Sequence, residues 1–279
     1  MLIVNSLLCS MATEKLIICV FGCATIPHYR KEIDKINLTW RKRSDELSVR
    51  VIFFLGEEKT DLVGDEYIYL PGVGNDYNSA SHKQNLGLKY IYEKFDADFV
   101  YVCGTDTYVN VDSMLNLLSN YSRNDNVFIG GHGFYINMGD IRCYMHSGGA
   151  GFIIPRVLHT MIYPYLEELF EECRLLCVSY KHYNLIPACD FQIAYIIKKF
   201  GYGTRIIDVA EIKSCDIHGN NNREHKCLID CCQKVSMIDI IACHYMTFDV
   251  FDEYYYILHT NNYFVGEKRN YTVRYIDWE

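Results

Sequence analysis

Three ionisable side chains stand where an apolar run gives way to a turn or a helix, and each is of a type that can do chemistry. Asp106 follows the run Phe99–Cys103, in Gly104-Thr105-Asp106-Thr107-Tyr108. A carboxylate at a strand end can hold a hard cation through oxygen, or it can simply cap the turn. Asp190, in Ala188-Cys189-Asp190-Phe191-Gln192, heads the amphipathic segment Phe191–Phe200, as a general base or as a plain N-cap. His244, in Cys243-His244-Tyr245-Met246, follows the apolar stretch Val235–Ala242, as a ligand or as a satisfied core imidazole. Between them Ser147-Gly148-Gly149-Ala150-Gly151-Phe152 is a run of small residues. Such a run lets backbone approach a ligand closely, or makes a tight turn. Lys83, at the start of a helical segment, is either an anion contact or a solvated charge.

The elements that must position these residues alternate. Leu16–Phe21 reads as a strand, Pro27–Lys42 as a helix, Val49–Leu55 as a buried strand and Glu66–Leu70 as a short one. Lys83–Phe95 reads as a helix, Phe99–Cys103 as a strand and Val111–Tyr121 as a helix. This rhythm argues for an α/β fold with a parallel sheet. Ligands of such sheets sit outside the carboxyl ends of the strands. Gly22-Cys23-Ala24-Thr25 and Gly104-Thr105-Asp106 therefore fall where chemistry is expected. Neither GxGxxG nor GxxxxGK[ST] occurs, so dinucleotide and P-loop readings have no support.

Composition narrows the field further. The chain has 279 residues, half of them hydrophobic, 22% charged and only 5 Pro, which excludes a low-complexity or disordered chain. The net charge of −8 opposes nucleic-acid binding, and the densest basic cluster, Arg41-Lys42-Arg43, is a solvated face. The apolar opening, residues 1–12, is shorter than the roughly 20 residues that a membrane span needs, and it lacks the positive start of a signal peptide. The expectation is a protein with no membrane span, placed in the cytoplasm. Most of the 13 cysteines stand singly in apolar runs and pack as small hydrophobes. The exception is Cys215, His218, His225, Cys227, Cys231 and Cys232, which could bind zinc or carry free or locally paired thiols.

Taken in order, several of these segments resemble the β-1,3-glycosyltransferase family that contains Fringe and the core 1 β-1,3-galactosyltransferase. The resemblance runs from about residue 16 to 260. It is carried by Ile36–Arg43 with its Thr39-Trp40, by Val51–Glu57, by Lys89–Glu93 and by Thr107-Tyr108-Val109. Ser147–Phe152 matches the family's Gly-Gly-Ala-Gly-Phe loop, and Asp190 the second acid of its Pro-Asp-Asp motif, followed by Phe200-Gly201. His244-Tyr245, with Glu253-Tyr254-Tyr255 beyond, matches its terminal His-Tyr segment. Two departures stand out. The family's Asp-Asp-Asp is Gly104-Thr105-Asp106 here, and its Pro-Asp-Asp is Ala188-Cys189-Asp190. One acid of each motif is kept.

The resemblance implies a GT-A type fold, a Rossmann-like mixed sheet flanked by helices. It implies a single domain over 1–279, with a nucleotide-sugar-binding half at about 15–135 and an acceptor-binding and catalytic half at about 136–265. It further implies an inverting transferase that moves a hexose or N-acetylhexosamine from a UDP-sugar to a hydroxyl of a glycan or glycoprotein, forming a β-1,3 linkage. Asp106 and His244 would hold Mn2+, with Mg2+ as the alternative, and Asp190 would be the base. Thr25, Lys83, Thr105, Asp106, Gly148, Gly149 and Ala150 would line the donor site, the last three bordering the sugar. Two other readings stay open. Gly104 and Thr105 allow an inactive relative that binds glycan or protein, and the Cys215–Cys232 stretch allows a zinc-stabilised interaction protein. Acceptor specificity is expected in Tyr135–His146 and Asp208–Asp230. Sequons occur at Asn37, Asn120 and Asn270, the first of them inside the Thr-Trp element.

Overall fold

A computed structural model describes residues 13–76, 79–138, 140–179, 189–214, 240–245, 252 and 271–276. The first strand, β1 (Glu14–Phe21), sends Leu16, Ile18 and Val20 to one face of a sheet and Ile17 and Cys19 to the other. Both sets are buried, so the run is apolar throughout instead of alternating. The same holds for β2 (Arg50–Leu55) and β4 (Ala97–Gly104). With β3 (Tyr67–Tyr69), these strands form the parallel half of the sheet, in the order β3-β2-β1-β4.

The helices cover both faces. One face packs on α1 (Pro27–Leu38), α2 (Trp40–Glu46) and α4 (Val111–Leu118) through Ile33, Ile36, Trp40, Met114 and Leu117. The other packs on α3 (Ala80–Lys94), α5 (Arg156–Ile162) and α7 (Cys189–Phe200) through Leu88, Ile91, Leu158, Ile193 and Ile196. A further helix, α6 (Phe170–Ser179), lies against α7. Among the described residues no helix is long and apolar enough to cross a membrane.

The sheet continues as a mixed one. Strand β9 (Phe152–Pro155) runs antiparallel between β4 and β6 (Val127–Gly130). Then β10 (Arg205–Val209) pairs parallel with β6, and β13 (Val273–Ile276) closes the edge antiparallel to β10. The full order is β13-β10-β6-β9-β4-β1-β2-β3. The chain leaves β1 towards β2 and β3 and returns to β4 on β1's other side. The direction of winding therefore switches between β1 and β4, and a crevice opens beyond their carboxyl ends.

Two small sheets decorate this frame. A hairpin of β7 (Gly133–Met138) and β8 (Ile141–His146) precedes β9. A three-stranded sheet joins β5 (Tyr108–Val109), β11 (Ile212–Lys213) and β12 (Ala242–Cys243). The three-stranded sheet is not visible in the apolar periodicity, because strands of two residues carry no period. The helix expected over Pro27–Lys42 is in fact two. Thr39 leaves helical geometry (φ −118°, ψ −111°), and its hydroxyl donates to the Lys35 carbonyl. The bend turns Trp40, 1% exposed, into the core.

Candidate active site

A cavity of about 490 Å3 fills the crevice at the switch point. The loop after β1 lends Gly22 and Cys23, and the loop after β4 lends Gly104, Thr105 and Asp106. The second half of the chain contributes Ser147, Gly149, Asp190 and His244.

The small sheet explains how His244 reaches Asp106 from so far along the chain. Cys243 of β12 pairs antiparallel with Tyr108 of β5. The residue after Cys243 therefore lies beside the residues just before Tyr108. His244 is anchored there by its amide, which donates to the Lys213 carbonyl at 3.0 Å. Its Nε2 stands 3.1 Å from Asp106 Oδ2. Tyr245, in left-handed backbone (φ 58°), stacks its ring on the imidazole at 3.6 Å between centroids. Such a conformation is costly for a bulky residue and concentrates at functional sites.

The Asp106–His244 spacing also suits a shared cation. Donors at adjacent corners of an octahedron lie about 1.4 bond lengths apart, which is about 3.0 Å for bonds of about 2.1 Å. Mixed carboxylate and imidazole ligation suits a borderline divalent ion. His244 is 8% exposed and its Nδ1 has no hydrogen-bond partner among the described residues. Among the described residues no group of three or more acid, histidine or cysteine side chains is placed to hold a metal ion, so Asp106 and His244 would act as a pair.

Asp190 opens α7 at the same cavity. Its Oδ1 accepts from the Phe191 amide at 2.9 Å and its Oδ2 from the Gly148 amide at 3.3 Å. Desolvation in the wall raises its pKa above the ordinary aspartate value, against the lowering effect of these amides and of the nearby His244. Lys83, on α3, is 3% exposed and donates to the Gly22 carbonyl at 2.8 Å. Burial lowers its pKa, with Cys23 and Asp76 acting in the other direction.

The remaining expected donor-site residues divide. Thr105 lines the cavity, but its hydroxyl donates to Glu32. Gly149 lines it as well, yet its smallness serves His244 more directly. A Cβ on Gly149 would come within 1.9 Å of His244 Cε1. The Gly149 carbonyl also accepts from Thr107. Three residues are not brought to the wall. Thr25 lies beyond Cys23, their side chains 3.5 Å apart, and it is Cys23 that faces the cavity. Gly148 sits behind, its amide on Asp190. Ala150 is 0% exposed inside the core, its carbonyl accepting from Tyr101. The reading of Ala150 as a border of the sugar is corrected: the chain dives into the sheet one residue earlier.

Sequence reasoning missed Glu32. It projects from α1 into the cavity wall, 3% exposed, holding Thr105 and lying 3.0 Å from His28 Nε2. Desolvation and the charge of Asp106 raise its pKa, while Thr105 and the two histidines oppose that rise. A signal was present. Glu32 shares the buried face of α1 with Ile33 and Ile36, where an acid is out of place. Asn75 and Asp76 also reach the cavity and had no signal, being loop residues. The Cys215–Cys232 stretch and Glu253–Tyr255 lie outside the described residues, as does most of Asp208–Asp230.

The Fringe-like family model matches residues 28–200, more than half of the chain. Among solved structures, a glycosyltransferase involved in glycosylation of the major capsid of PBCV-1 is similar at 10% identity. That match covers 87% of this chain and 99% of the other, with a TM-score of 0.49. The galactosyltransferase LgtC, in complex with donor and acceptor sugar analogs, is similar at 13% identity over 88% of this chain and 96% of its own, with a TM-score of 0.49. The glycosyltransferase GlyE of Streptococcus pneumoniae TIGR4 is similar at 12% identity over 91% of this chain and 64% of its own, with a TM-score of 0.48. These likenesses are distant, and the assignment rests on the 28–200 match. With its mixed, helix-flanked sheet of GT-A type, the chain belongs to the Fringe-like family and is a glycosyltransferase.

Proposed function

We propose that the chain is a metal-dependent, inverting glycosyltransferase that moves a hexose or N-acetylhexosamine from a UDP-sugar to an acceptor hydroxyl, forming a β-1,3 linkage. The acceptor is a hydroxyl of a glycan or glycoprotein. One observation carries the reading. A cation-compatible pair, Asp106 and His244, shares one cavity with a buried lysine and a desolvated carboxylate. The donor half, about 15–135, brings Asp106 and Lys83, and the acceptor half, about 136–265, brings Asp190 and His244.

Each group has a part. Asp106 and His244 would hold a divalent cation, Mn2+ or Mg2+, which would supply Lewis-acid neutralisation of the charge on the departing diphosphate. Lys83 keeps two N–H donors beyond its bond to Gly22 and meets a phosphate oxygen with them. Asp190 accepts the proton of the acceptor hydroxyl as the new bond to the anomeric carbon forms and the bond to the diphosphate breaks on the opposite face. Its raised pKa makes it a better base than an ordinary aspartate, and the Phe191 and Gly148 amides aim it.

Thermal-shift titration with UDP-sugars, with and without Mn2+, tests the ligands, and release of UDP with and without acceptor tests the reaction. A Mn2+-dependent shift with turnover supports the proposal. A shift without UDP release favours the inactive binding module to which Gly104 and Thr105 open the way. No response to any UDP-sugar sinks both.

A further inference from the structure

We propose that Glu32 is the second carboxylate of the cation subsite, contributing charge from the wall beside Asp106. The inference rests on the cation reading above and goes beyond it. Gly104 and Thr105 leave Asp106 as the only acid of its own loop. Glu32 arrives from a different element, α1, and lines the same cavity. At 3% exposure it is a buried acid, and among the described residues its ion pair is with His28 Nε2 at 3.0 Å, with no lysine or arginine. Burying a carboxylate beside another carboxylate is costly unless a positive charge sits between or near them.

His28, 65% exposed at its side chain, is a solvent-screened partner. Lys83, the buried cation of the cavity, has one of its three donors on the Gly22 carbonyl. The second imidazole of the cavity, His244, is 11% exposed at its side chain, with Nδ1 unpartnered among the described residues and Nε2 on Asp106. Among the described residues the cavity is lined by four carboxylates, Glu32, Asp76, Asp106 and Asp190, against one lysine, Lys83. Glu32 has both oxygens on protein donors, Oε2 on the Thr105 hydroxyl and Oε1 near His28. Its contribution is therefore the field of its charge, and not a direct bond to the ion. Partners that act in this way typically change metal affinity by about 10–100-fold.

The test is Mn2+ binding by the full chain, followed as free Mn2+ by electron paramagnetic resonance, with no sugar nucleotide present. Glu32→Gln keeps the shape and removes the charge, and we expect Mn2+ affinity to fall by about 10–100-fold while the circular dichroism spectrum stays native. Thr105→Val removes the hydrogen bond and keeps the charge, and it is expected to retain most of the affinity. Glu32→Ala replaces Glu32→Gln should the latter fail to fold. Affinity in the folded Glu32 variant within twofold of wild type overturns the proposal. So does an equal loss in Thr105→Val, which would make Glu32 an anchor only. If the wild-type chain binds no Mn2+ at millimolar concentration, the cation reading of the whole cavity fails and this proposal with it. If the wild type binds and Asp106→Asn abolishes binding while Glu32→Gln does not, only the role of Glu32 is lost.

Discussion

The imidazole of His244 lies flat against Gly149, so close that a Cβ there would stand 1.9 Å from Cε1 and 2.1 Å from Nε2. The atoms in conflict belong to the one side chain that pairs with Asp106. Gly149→Ala should therefore swing the imidazole off Asp106 without disturbing the core. Mn2+ affinity and transfer should each drop by about 10–100-fold, the range seen when the support of a ligand is removed. The melting temperature should stay near that of wild type. Normal Mn2+ affinity in this variant would separate Gly149 from the cation site.

Asp190 is argued to be the base. Asp190→Asn keeps the side-chain shape and should lower turnover by about 10²–10⁴-fold while leaving UDP binding nearly unchanged. A second reading comes from pH. The base must be deprotonated, and burial raises its pKa, so activity should fall with decreasing pH at a value above the ordinary aspartate range. Stopped-point assays across pH 4–8 in wild type would expose an ordinary, unshifted acid limb if the assignment is wrong.

Ala150 separates a pocket wall from a core position. It is 0% exposed and its carbonyl accepts from Tyr101. Ala150→Leu should overpack the core by about 1–3 kcal/mol, and the melting temperature should fall by ~2–4 °C for each kcal/mol. The fraction that remains folded should bind UDP as wild type does. A fully stable but inactive Ala150→Leu protein would return this residue to the cavity.

His159 gives a stability prediction away from the site. It is fully buried on α5, with Nε2 3.0 Å from the Leu88 carbonyl, and burial together with the Arg156 charge lowers its pKa to about 3. Between the unfolded value near 6.5 and that lower value, the unfolded chain binds a proton that the folded chain refuses. Stability must then fall as pH falls, by about 1.4 kcal/mol for each unit. His159→Gln cannot titrate and should lose about 2 kcal/mol less than wild type between pH 6.5 and 5. Parallel denaturation curves for the two proteins over that range would contradict the assignment.

Much of the frame was legible in the residues. Runs such as Val49–Leu55 and Phe99–Cys103 are apolar on both faces because helices cover both, and length and punctuation mark them as strands. The small sheet was not legible, since Tyr108-Val109 and Ala242-Cys243 become strands only by pairing with each other. At the site, Asp106, Asp190 and His244 were found because each follows an apolar run or heads a helix. Glu32 was passed over because α1 is charged along its length, which masked an acid lying on the face of Ile33 and Ile36. The Ser147–Gly151 run was seen as one unit, whereas the fold splits it: Gly149 touches the imidazole and Ala150 the core.

The antiparallel course of β9 has a consequence for where the chain tolerates change. Phe152 pairs with Val102 and Pro155 with Phe99, so β9 starts at the carboxyl-end rim of β4 and finishes at the far rim. For the parallel strands β1 and β4, the segment after the strand borders the cavity. For β9 it is the segment before. An insertion between His146 and Phe152 would land on the rim that holds Asp106, while one at the Pro155–Arg156 junction would land at the opposite rim. Loop lengths around this reversed interior strand are thus bound by different requirements, and grafting loops between relatives would have to exchange the segment ahead of β9 together with the segments that follow β1 and β4.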